Sequence, residues 1–344
     1  MAEIPEWPFS LGVPAASGVI RSCPEDFVVE EIPKVDPAGE GEHLWLWVEK
    51  RSTNTDWVAR QLARVAGCAV RDVGFAGLKD RHAITLQWFS VPIRENTSEN
   101  LEDAGIEGVT ILASHKHHRK LKRGTLKGNR FRLKIRNFDG DPGETERRLQ
   151  IIRSDGIPNY FGPQRFGHAG RNVQRGYDLL KRRARLQRNK RSIYLSAIRS
   201  YLFNQVLAAR VRQGNWNSMM DGDLAMLEGS QSVFVCDISN PDIEDRCRRL
   251  DIHPTGPLPG EAGARPEGQA AELEQSVLDN WPELTDILRE QRVQASRRSL
   301  RLHPAGLEWK LDASELDLTF VLSPGSYATT VLREILMFRE AERA

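Results

Sequence analysis

The sequence predicts an α+β fold in which a mixed, largely antiparallel sheet domain is interrupted by a mostly helical insertion. Three observations carry this. Strand-patterned and helix-patterned segments alternate through the first 140 residues. From about 143 to 215 the apolar spacing becomes helical. The tail then returns to a strand, Leu316 to Leu322, and a terminal helix, Tyr327 to Arg339. One strand and one helix bury too little to stand alone, so they are expected to pack back on the N-terminal sheet. The expected division is therefore 1–157 with 305–344 as a discontinuous sheet domain, and 158–304 as the insertion.

Asp26 to Ile32 and His43 to Glu49 are rich in β-formers and read as strands. Asn54 or Thr55 can cap a helix with Trp57, Val58, Leu62 and Val65 at helical spacing, ending at Gly67. Strands follow at 86–93, 108–113 and 130–137. In the last, Phe131, Leu133 and Ile135 alternate with Arg132, Lys134 and Arg136, so one face packs and the other is cationic. Helices are expected over Glu144 to Ser154 and Ser192 to Gln213. Asp251 to Gly268, with its prolines and glycines, reads as irregular. A helical pattern resumes from Ala270 to about Arg297.

With 344 residues, 40% hydrophobic and 28% charged, the composition is that of an ordinary soluble protein of about two domains. No apolar run approaches the roughly 18 residues that span a bilayer, so no membrane is expected. Met1 to Val13 lacks the basic and apolar regions of a signal peptide. Cys23, Cys68, Cys236 and Cys247 form no Cys-x-x-Cys pair, so neither a zinc site nor a disulfide framework is expected and a cytoplasmic location fits.

The net charge of +2 hides strong local asymmetry. Lys181 to Arg191 holds seven cations and no anion, and His115 to Arg123 holds five cations and three histidines. Such blocks read either as solvated faces or as polyanion-binding surfaces, with nucleic acid the favoured partner.

The richest chemistry lies in Gly74-Phe75-Ala76-Gly77-Leu78-Lys79-Asp80-Arg81-His82-Ala83-Ile84-Thr85. It places one carboxylate between two cations in a Gly-punctuated loop before a strand. Such a carboxylate is either a turn residue with surface ion pairs or a group kept ionised for work as nucleophile or base. In an extended loop, Lys79 and Arg81 would point away from Asp80, so its cation partner would come from elsewhere in the chain. Leu126-Lys127-Gly128-Asn129-Arg130-Phe131 offers an amide and a flat ring. Phe27 and Tyr327 offer further aromatic surface. Together these suit a nucleobase pocket, in which rings stack on an extruded base and cations hold phosphates.

These stretches resemble the TruD family of tRNA pseudouridine synthases. The resemblance rests on Gly74 to Thr85 followed by Gln87-Trp88, on Pro24 to Val29, Gly41-Glu42-His43 and Leu126 to Phe131. Pro158 to Gly167, Ser192-x-x-Leu195-Ser196-Ala197 and Pro324 to Thr329 extend it, in family order. It implies a pseudouridine synthase sheet core with an inserted domain. It also implies isomerisation of uridine 13 in the D arm of tRNA, with neither metal nor organic cofactor. On this resemblance Asp80 is the catalytic carboxylate, Asn129 borders it, and Phe131 stacks on the base. Phe27 and Tyr327 line the pocket, and Arg21 is the basic partner of Asp80. Tyr327 stands where the family often has Phe and adds a hydroxyl. Lys79, Arg81, Lys122, Arg123, Arg182, Arg183 and Arg185 are candidate RNA contacts. No protein partner is implied, and a monomer is expected.

The competing reading is a non-catalytic tRNA-binding or tRNA-folding protein on the same scaffold. A nucleotide-hydrolysing enzyme lacks its Gly-x-x-x-x-Gly-Lys-Ser/Thr loop here. A metal site at His115, His117 and His118 would sit among repelling cations.

Overall fold

The structure, a computed structural model, describes residues 4–94, 97, 101 and 104–341. The chain begins with β1 (Ser17–Ile20), β2 (Phe27–Pro33), β3 (His43–Arg51), α1 (Thr55–Val65), β4 (Gly74–Phe75), β5 (Ile84–Pro92), β6 (Val109–His117) and β7 (Leu126–Asp139). It continues through α2 (Pro142–Asp155), β8 (Ile157–Pro158), α3 (Asn172–Lys181), α4 (Arg188–Arg212), β9 (Leu224–Leu227), β10 (Val233–Val235), α5 (Pro241–Arg248) and β11 (Ile252–Leu258). The last third holds α6 (Gly268–Leu278), α7 (Pro282–Glu290), β12 (Ser296–Ser299), β13 (Arg301–Leu302), β14 (Ala305–Leu311), β15 (Glu315–Leu322), α8 (Ala328–Ile335) and β16 (Met337–Glu340).

Two compact units result. The sheet unit comprises Ala15–Pro142, Pro304–Gly325 and Leu336–Ala344. The helical unit comprises Met1–Pro14, Gly143–His303 and Ser326–Ile335. The N-terminal arm, α2 and α8 thus group with the helices, outside the expected 158–304 segment. Their contacts give the reason. Trp7 stacks on Tyr160 at 5.8 Å. The buried Arg148 guanidinium donates to the carbonyls of Leu11, Gly12 and Glu334. Glu334, also buried, accepts from the Ser10 backbone and hydroxyl at 2.9 Å.

In the sheet unit the strand order is β14-β15-β7-β2-β5-β3-β6, with β1 on β7 and β16, and β4 on β5. β2–β5 and β1–β16 are parallel pairs and the others are antiparallel, as a mixed sheet requires. β7 is 14 residues long and pairs with β1, β2 and β15, so it organises the sheet. Gly128 permits its approach to β15, because a Cβ there would stand 2.7 Å from the Leu322 carbonyl oxygen. Helix α1 lays Val58, Ala59, Leu62 and Ala63 on Leu44, Leu46, Val48, Phe89 and Val91.

In the helical unit α4 supplies much of the core, with Ala197, Ile198, Tyr201, Leu202, Phe203, Leu207 and Ala208 buried. A second sheet runs β10-β9-β11-β12. The expected irregular stretch after Asp251 therefore contains a strand. Residues 252–254 of β11 pair with β9 and residues 255–258 with β12. Pro254 stands at the end of the pairing with β9 and Pro257 pairs with β12 alone, positions where a strand tolerates a missing N–H. Ser296–Ser299, expected to close a helix, is strand β12 because it pairs with that second half. The terminal helix also stops early. Chain after Ile335 becomes β16, whose Met337 to Glu340 pair with Ser17 to Ile20. Among the described residues no helix is long and apolar enough to cross a membrane.

Candidate active site

Strand register in the sheet unit sets the site's floor. Lys50 of β3 faces Thr85 of β5, Thr85 faces Val29 of β2, Val29 faces Phe131 of β7, and Phe131 faces Phe320 of β15. Facing residues share one side of a sheet, and the next in-phase positions lie two residues on. Glu31, Asn129 and Leu322 therefore belong to the same face, opposite one another in register. So do Phe27, Leu133 and Leu318. This is the face on which α1 packs, since Lys50 is in phase with Leu44, Leu46 and Val48.

The Asp80 loop is tied down on this face at several points. The Lys79 backbone N–H donates to the Thr55 hydroxyl, at the first turn of α1, at 3.0 Å. Thr55 donates to Gln87, whose amide nitrogen donates to the Gly77 carbonyl at 3.2 Å. The ammonium of Lys50 donates to the carbonyls of Thr53 and Asp80, both at 2.8 Å. The His82 backbone N–H donates to Asp80 Oδ1 at 3.1 Å. A carboxylate on a loop held this way is positioned by the fold rather than by its own rotamer.

The other oxygen of Asp80 accepts from Arg21 Nη2 in an ion pair. Arg21 Nη1 pairs with Glu340 at the end of β16, and its guanidinium carbon lies 4.1 Å over the Phe27 ring. The residue takes φ 57°, a left-handed conformation uncommon outside glycine, where β1 ends. Phe27 meets Phe131 edge-on, with centroids 6.2 Å apart and planes at 82°. Phe131 stacks on Phe320 at 5.6 Å and 26°. Asp80, Arg21, Phe27 and Phe131 thus form one contiguous chain of contacts. The Asp80 side chain keeps 28% of its surface exposed, so the carboxylate remains reachable.

Two buried polar atoms on this face, the Thr85 hydroxyl and Asn129 Oδ1, have no hydrogen-bond partner among the described residues. Buried polar atoms are nearly always paired, and exceptions concentrate where a ligand completes them. Beside them stand two buried charges. Lys50 is fully buried, and that burial pushes its ammonium down to about 8, against the pull of Asp80. Glu31 is equally buried; desolvation pushes its carboxyl up, while Lys79 at 2.6 Å pulls it back.

Glu31, Lys50 and Thr85 are not singled out by the motif reading. Phase is the signal that finds the first two: each is a charged residue at an inward position of an otherwise apolar strand. Lys79, expected at an RNA face, is instead buried in its ion pair with Glu31. Arg81 and Lys122 are exposed. Arg123 lies 3.8 Å over the Phe75 ring and 3.8 Å from Asp56. Arg182, Arg183 and Arg185 are exposed in the turn between α3 and α4 of the helical unit. Tyr327 belongs to the helical unit, where its added hydroxyl accepts from Arg165 Nη2 at 3.2 Å. His117 packs on Trp45 at 4.2 Å and its Nδ1 accepts from the Ala38 backbone. Among the described residues no three metal-ligating side chains converge.

A sequence model of the tRNA pseudouridine synthase D (TruD) family matches residues 8–185 and 169–335. A tRNA pseudouridine synthase D from Methylococcus capsulatus is 46% identical over 333 residues, covering 96% of this chain and 94% of that protein. One from Hydrogenovibrio crunogenus is 42% identical over 329 residues, with 95% of each chain covered. Among solved structures, a tRNA pseudouridine synthase D from Methanosarcina mazei superposes with a TM-score of 0.75 over 97% of this chain and 96% of its own, at 22% identity. That likeness shows the fold, and the sequence matches extend across both compact units. The chain belongs to the tRNA pseudouridine synthase D family.

Proposed function

We propose that the protein converts uridine 13 in the D arm of tRNA to pseudouridine, with Asp80 as the catalytic carboxylate. The observation that carries this is the Asp80–Arg21 pair leading through Phe27 to Phe131, on a face with two unpaired polar atoms. The reaction breaks the N1–C1′ bond, turns the uracil over and joins C5 to C1′. No electrons leave or enter.

Each step asks something of these residues. The base must leave its stack, at a cost of a few kcal/mol. Stacking on an aromatic ring, worth about 1–3 kcal/mol, offsets this, and Phe131 backed by Phe320 supplies a flat wall. A flat wall also lets the freed uracil rotate, which a dense set of directional bonds would prevent. Asn129 Oδ1 and the Thr85 hydroxyl hold the base edge. Asp80 acts either by attack at the sugar or by removal of a sugar proton. Both routes require an ionised, reachable oxygen with a fixed counter-charge, and Arg21 provides that charge.

Exposed cations without ion pairs among the described residues, Arg81 and Lys122 in the sheet unit and Arg182, Arg183 and Arg185 in the helical unit, hold the RNA backbone. The test is incubation of purified protein with unmodified tRNA, followed by position-by-position mapping of pseudouridine. Product at position 13 is the expected result; product elsewhere in the tRNA would overturn the site assignment.

A further inference from the structure

The helical unit contains a cavity of about 450 Å³ that the reaction above does not use. Arg188, Arg191 and Arg199 supply its charge, and Phe161, Leu195 and Val293 its apolar wall. The cations come from one helix at matching phase. Along α4, Arg188, Ser192, Ser196 and Ser200 recur every four residues, as do Arg191, Leu195 and Arg199, so both rows face the cavity. Two more guanidinium groups stand behind this wall. Arg298 lies 4.1 Å over the Phe161 ring, and Arg165 donates to the Ser196 hydroxyl at 3.1 Å.

None of these five arginines has an ion-pair partner among the described residues. Three buried arginines of this unit do, in Arg148–Glu144, Arg210–Asp223 and Arg297–Glu274, whereas buried Arg301 bonds His253 and backbone carbonyls. Arg199 and Arg191 spend hydrogen bonds only on neutral acceptors, the former on the Leu258 and Gln294 carbonyls and the latter on Gln291. The Nε atoms of Arg165, Arg199 and Arg298 are buried with no acceptor among the described residues. Burial lowers the pKa of Arg199, and that of Arg298 falls to about 10. Arg188 and Arg191 are exposed at the cavity's rim and Arg199 is half-buried within it, so its charge is of one sign from rim to interior, a surface that draws an anion.

We infer that this cavity binds a second, non-reacting nucleotide of the tRNA, with its phosphate among Arg188, Arg191 and Arg199 and its sugar or base against Phe161, Leu195 and Val293. The volume lies within the range of sites that take small ligands, and it suits a nucleotide better than a bare anion. The inference rests on the tRNA reading above. The site lies in the helical unit, not in the unit that carries Asp80, so it contributes binding and register rather than chemistry.

The test compares wild type with the double variant R188Q/R191Q and with Ser192→Glu, an exposed position on the cavity wall. Affinity for tRNA is titrated against salt, and the single-turnover rate is read at saturating tRNA. Both variants are expected to bind tRNA about tenfold more weakly, and R188Q/R191Q to lower the salt slope by about one or two. The saturating rate should stay within about twofold. Unchanged affinity and slope in either variant would overturn the cavity assignment while wild-type product formation still stood. Absence of pseudouridine from wild type would overturn the underlying reading instead. Uridine monophosphate serves as the free-nucleotide probe. Competition with tRNA in wild type, lost in R188Q/R191Q, supports the assignment. Binding in the cavity without competition would give the site to a free nucleotide and contradict it.

Discussion

Arg21 carries an unusual share of the site: its two nitrogens hold Asp80 and Glu340, and its flat face covers Phe27. Only a planar fork can do all three, and an ammonium cannot. Arg21→Lys is therefore expected to lower the single-turnover rate by about 100-fold, the scale of a small misplacement of the carboxylate proposed to react. Its tRNA affinity should change little. An unaltered rate at saturating tRNA would remove Arg21 from the site. Lys50 makes a second residue-scale prediction. Its folded pKa of about 8 lies below the ordinary 10.5. Between those values the unfolded chain binds more protons than the folded one, so the Lys50 contribution to stability rises with pH. Below about 8 both states are charged and the full burial penalty applies. Lys50→Met should abolish this rise, amounting to at most about 3 kcal/mol between pH 8 and 10.5, as read from urea unfolding across that window. Identical pH dependence in variant and wild type would contradict it.

At the scale of elements, alternation showed that the partner of Asp80 is neither Lys79 nor Arg81, because neighbours in an extended loop face away, and the family resemblance pointed to Arg21. The fate of Lys79 was not. Its partner, Glu31, is 48 residues distant and reaches it only once β2 pairs with β5. Lys50 shows a signal left unread: a lysine in phase with three buried aliphatic residues must find carbonyls or carboxylates inside. β11 was hidden by prolines that are tolerated only because the strand changes partner midway. β16 was hidden because its pairing with β1 is parallel and joins the two ends of the chain. Gly128 belongs to this scale too. It brings β7 against β15, so that Asn129 and Phe131 face Leu322 and Phe320. Gly128→Ala should cost about 1–3 kcal/mol by forcing the strands apart at the Leu322 carbonyl. Thermal unfolding checks this, and a neutral substitution would show that the approach is not tight.

For the whole molecule, the mixed sheet and the return of the tail strand to it followed from pattern. The grouping of the N-terminal arm and α8 with the helices did not, because it depends on Arg148 and Glu334, two buried charged residues whose partners include backbone groups far along the chain. The charge distribution is also a property of the whole. A net charge of +2 conceals an exposed basic turn at Arg182, Arg183 and Arg185. Neutralising all three to Gln should weaken tRNA binding and lower its salt slope by about one for each phosphate that no longer meets a cation. An unchanged slope would make that turn a solvated surface.

That Asp80, a reachable carboxylate fixed by Arg21 and by its tethered loop, performs the isomerisation is tested most directly by mapping pseudouridine in tRNA incubated with wild type and with Asp80→Asn. The substitution is isosteric and removes the charge. Product is expected at position 13 with wild type and none with Asp80→Asn, at tRNA affinities within about threefold of each other. Substantial product from Asp80→Asn would contradict the assignment.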